Sequence, residues 1–244
     1  MIKTVSMDKL YIVIPAYNEE ENIETISREW HDVAVKINEQ SRILIIDDGS
    51  KDDTYTKLEK LQKELPQMEA ITKPNSGHGA TILYGYRYAL ANGADYVFQT
   101  DSDGQTLPEE FRQFWELRQE YTAVIGWRNK RKDGFSRIFV TKVLRLVLRC
   151  IFGIDIPDAN TPFRLINAEI LNKYLPIIPP NFNLSNILLT VCLMLYKENI
   201  KFIPITFKPR QGGVNSINFK KIVKIGIKAV KDISQIKREL DTNE

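Results

Sequence analysis

Five short apolar runs in the first half of this chain alternate with four segments of helical period. The runs are Leu10–Ile14, Arg42–Ile46, Met68–Thr72, Tyr96–Gln99 and Ala123–Gly126, and the periodic segments are Asn22–Ile37, Thr54–Leu65, Thr81–Ala91 and Glu109–Gln119. Such alternation builds a largely parallel sheet with helices on both faces, so the expected fold class is α/β. Asn18 with Glu21, and Thr106 with Glu109, have capping-box spacing, and Pro108 suits a first helical turn.

In sheets of this kind ligands bind at the carboxyl ends of the strands. The segments leaving strands one, two and four are Pro15-Ala-Tyr-Asn-Glu19, Asp47-Asp-Gly-Ser50 and Asp101-Ser-Asp103. All three are polar and are expected to meet at one sheet edge. Two carboxylates two residues apart repel each other unless a cation sits between them. Hard oxygen ligands favour Mg²⁺ or Mn²⁺, and Gln105 could add a neutral oxygen. The plainer alternative for Asp101 and Asp103 is a solvated turn with capping aspartates. Asp48 could accept hydrogen bonds from a nucleobase edge, with Gly49 allowing a tight turn, or Ser50 and Asp52 could simply cap the next helix. Glu19 could hold ribose hydroxyls or favour a helix dipole from its first turn. Asn75-Ser-Gly77-His78-Gly79-Ala80 opens the next helix with small residues, whose amides suit a phosphate or a sugar hydroxyl with help from His78, against the alternative of a flexible loop with glycine caps. No Gly-x-Gly-x-x-Gly follows the first strand and no Walker lysine motif occurs, which removes the main support for dinucleotide or P-loop readings.

The charge is divided. Residues 1–126 carry 13 Lys and Arg against 22 Asp and Glu, and residues 127–244 carry 21 against 9. The acidic half repels anions except through a metal or amides, and the basic half attracts an anionic surface. No nucleic-acid motif accompanies that charge, so no nucleic-acid partner is expected. Cys150 and Cys192 sit in apolar runs, which points to a reducing cytosol and away from disulfides or zinc. Met1–Leu10 lacks an apolar signal-peptide core. The longest apolar stretch, Ile187–Tyr196, is too short to span a bilayer and reads as a core helix.

Beyond residue 127 a basic loop, Arg128–Ser136, leads into the amphipathic stretch Arg137–Phe152. A strand is expected at Lys201–Phe207 and a basic amphipathic helix at Phe219–Leu240. Both amphipathic stretches have the character of interfacial helices at an anionic leaflet, against the alternative that they pack on the core.

Four ordered motifs carry a family resemblance: Tyr11-Ile-Val-Ile-Pro-Ala-Tyr-Asn-Glu19, Ile46-Asp-Asp-Gly-Ser-Lys-Asp-Asp-Thr54, Asn75-Ser-Gly-His-Gly79 and Gln99-Thr-Asp-Ser-Asp-Gly-Gln105. They are similar to family 2 glycosyltransferases of GT-A fold. The overall layout is most similar to the dolichol- and polyprenyl-phosphate sugar synthases. The likeness is strong over residues 1–127 and looser through Ala159–Leu165 and Arg210–Ser216. It implies a GT-A domain over 1–217, with a nucleotide-sugar half at 1–127 and an acceptor half at 128–217, followed by the helical segment 218–244. Carried over residue by residue, it implies that Pro15, Tyr17, Glu19 and Asp48 contact the nucleoside of a UDP- or GDP-sugar. Asp101, Asp103 and Gln105 would bind the metal, and Arg210 would face the diphosphate. Arg128, Arg137 and Thr141 would surround an acceptor phosphate.

By the same resemblance, many family members that glycosylate a hydroxyl present a catalytic acid at the passage matching Pro180–Asn186, where this sequence has none. A hydroxyl nucleophile gains about 10²–10⁴-fold from a general base, whereas a phosphate monoester is already anionic. The expectation is therefore inverting transfer of a hexose to a lipid phosphate, on an enzyme peripheral to the cytoplasmic membrane face. Asp158 is kept as a candidate base, against a loop-capping role beside Asn160. Two other readings stand beside this one: a transferase acting on a sugar hydroxyl, and a non-catalytic nucleotide or anionic-lipid binding module.

Overall fold

Every residue of β1 (Leu10–Ala16) is buried, as a strand covered on both sheet faces must be. Its side chains alternate: Tyr11 and Val13 join one apolar cluster, and Leu10, Ile12 and Ile14 join another. In the computed structural model, which describes residues 7–128, 145–146, 148–150 and 152–208, this strand lies inside one seven-stranded sheet. The others are β2 (Arg42–Asp47), β3 (Met68–Thr72), β4 (Tyr96–Gln99), β5 (Ala123–Arg128), β6 (Arg164–Asn167) and β7 (Ile200–Ile205), in the order β3-β2-β1-β4-β6-β5-β7. Only β6 runs antiparallel to its neighbours, so the sheet is mainly parallel.

The helices among the described residues include α1 (Ile23–Ile37), α2 (Thr54–Glu64), α3 (His78–Ala91), α4 (Phe111–Glu116), α5 (Ala168–Tyr174) and α6 (Ser185–Leu195). Helices α3, α5 and α6 close the first cluster, and α1, α2 and α4 the second. The second centres on aromatic rings: Phe98 lies 4.7 Å from Phe163 and 4.8 Å from Phe111, both edge-on, the preferred geometry for ring quadrupoles.

Three local expectations are corrected. Strand β6 was not anticipated, because four residues around a buried arginine carry little periodic signal. The capping boxes are not formed. Helix α1 starts at Ile23, and Asn18, in the left-handed region at φ 54°, accepts from the Lys51 amide instead. Thr106 bonds the Thr100 hydroxyl at 2.8 Å, and the helix expected at 109–119 is a 3₁₀ turn followed by α4 alone. In each case a partner outside the helix outcompetes the local cap.

Helix α6 is buried from Ser185 to Leu193, as a core helix should be. Within the stretch expected to be amphipathic, Leu148 packs into the first cluster, whereas Leu146 is 61% exposed. The segment 219–240 lies outside the described residues. No helix among the described residues is long and apolar enough to cross a membrane.

Candidate functional site

The parallel strands β1, β2 and β4 end together, and their terminal loops are tied to one another. The Asp48 amide donates to the Ala16 carbonyl at 2.8 Å, and the Ser102 hydroxyl donates to the Pro15 carbonyl at 2.9 Å. Loops one and two are laced reciprocally: the Asn18 amide donates to Ser50 Oγ, the Glu19 amide to Thr54 Oγ1, and the Asp53 amide to Glu20. Pro15, Tyr17, Glu19, Asp48, Asp101, Asp103 and Gln105 therefore share one sheet edge, as expected.

Their surroundings differ. Tyr17 is 42% exposed, while Glu19 is buried and accepts from the Asn22 side chain at 3.1 Å. Asp48 is buried and already engaged: it accepts from the Lys73 ammonium, and from the amides of Ser76 and Gly77 at 2.9 Å each. Burial acts to raise its pKa, but Lys73, the Ser76 amide and the Thr81 hydroxyl outweigh that and hold it below the usual carboxylate range. Asp48 thus anchors the loop entering α3, a role the sequence reading did not anticipate. Lys73, its partner, was not singled out; a lone lysine after a strand carries no motif. Gly49 sits at φ +69°, which meets the expected need for a glycine in that turn.

Asp101 lies two residues past the end of β4. Its Oδ1 lies 3.0 Å from His78 Nε2, at the start of α3. Partial dehydration disfavours the charged imidazole, but Asp101, with Asp103 and Asp48 farther off, outweighs this and raises the His78 pKa. Asp103 Oδ1 accepts from the Gln105 amide at 3.1 Å, closing the turn. Gln105 donates its side-chain nitrogen to the Lys208 carbonyl at 2.8 Å, leaving its amide oxygen as the atom suited to a cation. Among the described residues no group of three or more His, Cys, Asp or Glu side chains is arranged to hold a metal ion. The donor set fits a hard divalent ion that completes its shell with water and a ligand's oxygens.

Helix α3 meets the passage before α6. A Cβ on Gly79 would fall 2.4 Å from the Phe182 carbonyl oxygen and 2.5 Å from that of Asn183. Glycine is therefore required there by the contact between the two halves of the chain. Beneath this contact lies Arg164, fully buried, which donates to the carbonyls of Ala159, Thr161 and Asn186 and to the Thr190 hydroxyl. Burial pulls its pKa down, while Tyr86, Asp158 and Asp101 oppose the shift. The arginine was visible inside an apolar run, Phe163–Ile166, and a charge in such a run was the available signal for it.

At the end of β5, Arg128 pairs with Asp158, with Nε and Nη2 at 2.7 and 2.9 Å from the two carboxylate oxygens. The Asn160 amide also reaches Asp158, at 3.4 Å, in keeping with the loop-capping alternative. Arg137, Thr141 and Arg210 lie outside the described residues.

The family model for glycosyl transferase family 2 matches residues 11–175, most of the sheet and the whole of this edge. The chain belongs to glycosyltransferase family 2. Its relatives in this family include polyprenol monophosphomannose synthase of Mycolicibacterium smegmatis, 27% identical over 85% of this chain and 80% of the relative. Another is the undecaprenyl-phosphate 4-deoxy-4-formamido-L-arabinose transferase of Klebsiella pneumoniae, 24% identical over 92% of this chain and 67% of the relative. Among solved structures, glucosyl-3-phosphoglycerate synthase from Mycobacterium tuberculosis in complex with Mn²⁺ and UDP-glucose superposes with a TM-score of 0.66 at 16% identity, over 95% of this chain and 79% of that one. Its complex with phosphoglyceric acid gives 0.68 at 17% identity, over 94% and 81%. This family 2 glycosyltransferase thus has the GT-A fold.

Proposed function

We propose that this glycosyltransferase moves a hexose from a UDP- or GDP-sugar to a polyprenyl-phosphate acceptor, with inversion, aided by Mg²⁺ or Mn²⁺. The observation that carries the donor half is the convergence of Glu19, Asp48 and the Asp101–Asp103 pair on one sheet edge. Asp101, Asp103 and Gln105 would hold the cation, whose chemistry is to neutralise charge on the departing diphosphate. Tyr17 and Glu19 would face the nucleoside, and Asp48 would act through the loop it anchors. Gly77 and His78 would stand beside the sugar and diphosphate, with Arg210 contributing from 209–244.

The acceptor half is supported by the two relatives, named as a polyprenol monophosphomannose synthase and an undecaprenyl-phosphate sugar transferase, and by the basic balance of residues 127–244. It is also supported by the passage 180–186, which packs against the start of α3 and contains no carboxylate. A phosphate monoester attacks without a base. We place the nucleotide-sugar half at 1–127 and the acceptor half at 128–217, and the basic segment 218–244 would rest on an anionic cytoplasmic leaflet.

The test is a transfer assay with short-chain prenyl phosphate and a panel of UDP- and GDP-sugars, with Mn²⁺ or with chelator. Lipid-linked product with one donor class, lost on chelation and in the Asp101→Ala, Asp103→Ala double variant, is the expected result. Full activity of that variant in chelator overturns the metal role. Transfer only to a saccharide hydroxyl overturns the acceptor.

A further inference from the structure

Arg128 ends β5, and β5 runs parallel to β4 because both pair antiparallel with β6. Arg128 therefore lies on the same sheet edge as Asp101. Asp158, in the turn before β6, grips the guanidinium along its Nε–Nη2 edge, and the two side chains are only 11% and 6% exposed. The Phe207 ring covers one face, 5.0 Å from the guanidinium carbon. A planar group held by one edge and one face has a single orientation. The remaining nitrogen, Nη1, carries two N–H donors and makes no hydrogen bond among the described residues.

We propose that Asp158 is a positioning residue, which fixes Arg128 so that its Nη1 edge receives the acceptor's phosphate oxygens. The proposal rests on the reading of the acceptor as a phosphate monoester. It assigns Asp158 a role different from that of a base. Both of its oxygens already accept from Arg128, which commits the carboxylate to orienting the guanidinium. An anionic acceptor offers no proton that must be removed. Arg128 in turn keeps a geometry that an unpaired arginine, with its several rotatable bonds, would have to order on binding.

The test compares Asp158→Asn, Arg128→Lys and the double variant with the full-length wild type. The substrates are the donor sugar the wild type uses and a short-chain prenyl monophosphate. Asp158→Asn keeps the shape and one acceptor oxygen. It is expected to raise the acceptor KM by about tenfold, the scale of one charge-assisted hydrogen bond. The donor KM and kcat should stay within about twofold, with the pH profile in place. Arg128→Lys, which keeps the charge but not the fork, should give the same signature, and the double variant should be no worse than the worse single one.

A fall in kcat of about 10²-fold or more at unchanged acceptor KM, with loss of the acidic limb of the pH profile, would make Asp158 a base and overturn the proposal. Additive losses in the double variant would also overturn it. A wild type that transfers only to saccharide hydroxyls fails the functional reading itself, and the acceptor screen shows this before any variant is made.

Discussion

Removing the Asp48 carboxylate should destabilise the fold before any donor is present. The carboxylate receives the Lys73 ammonium and the Ser76 and Gly77 amides while only 5% exposed. In Asp48→Ala, Lys73, itself only 14% exposed, loses its counter-charge, and two amides lose their acceptor. One-sided loss of a buried pair costs about 3–5 kcal/mol. At about 2–4 °C per kcal/mol for a chain of this size, Tm should fall by roughly 6–20 °C. Asp48→Asn keeps an oxygen but not the charge and should lose about 1.5–3 kcal/mol.

The pH dependence has a definite sign. The folded pKa of Asp48 is held below its usual value, so its contribution is full above the unfolded carboxylate pKa, near 4. It is lost as pH falls through the lower folded value. The wild type should therefore lose stability across that acid window more steeply than Asp48→Asn. Thermal melts without ligand at pH 7 and through the acid range, followed by donor titration, measure both effects. If ligand-free Asp48→Asn melts within about 2 °C of wild type while donor binding is lost, Asp48 serves only the nucleobase and this reasoning is wrong.

Gly79→Ala should destabilise by about 1–3 kcal/mol, since its Cβ meets backbone that cannot turn aside; a melt at wild-type temperature would refute the close contact. Arg164→Leu should lower stability by several kcal/mol, because three carbonyls lose a donor in the interior. Chemical unfolding should show a lower midpoint at similar m. Substituting Asp101 and Asp103 by Ala should leave Tm within about 2 °C of wild type, because both carboxylates are partly exposed. It should abolish any Mn²⁺-induced shift in Tm in the presence of a nucleoside diphosphate, read by differential scanning fluorimetry.

Much of the site was legible along the chain because it obeys local rules. Alternating strand and helix periods imply parallel strands, and polar residues just past the ends of parallel strands must share an edge. Asp101, Asp103, Asp48 and Glu19 follow from that alone. Residues whose role is to hold other residues were not legible. Lys73 carries no motif, Arg164 shows only as a charge within an apolar run, and Asn18 and Thr106 have local capping partners that they decline in favour of Lys51 and Thr100.

By itself, then, the sequence determined the α/β class, the order of the first five strands and the edge where the acidic residues gather, because periodicity and strand polarity are properties of the chain. Tertiary structure alone decided three things. An antiparallel strand enters between β4 and β5. Gly79 must admit the Phe182–Asn183 backbone. Asp48 and Asp158 are each spent on a cation, Lys73 and Arg128 respectively. The physical reason is common to all three: a buried charge, a close backbone contact and a strand's neighbours are set by groups far away in sequence, and no local pattern encodes which of them will arrive.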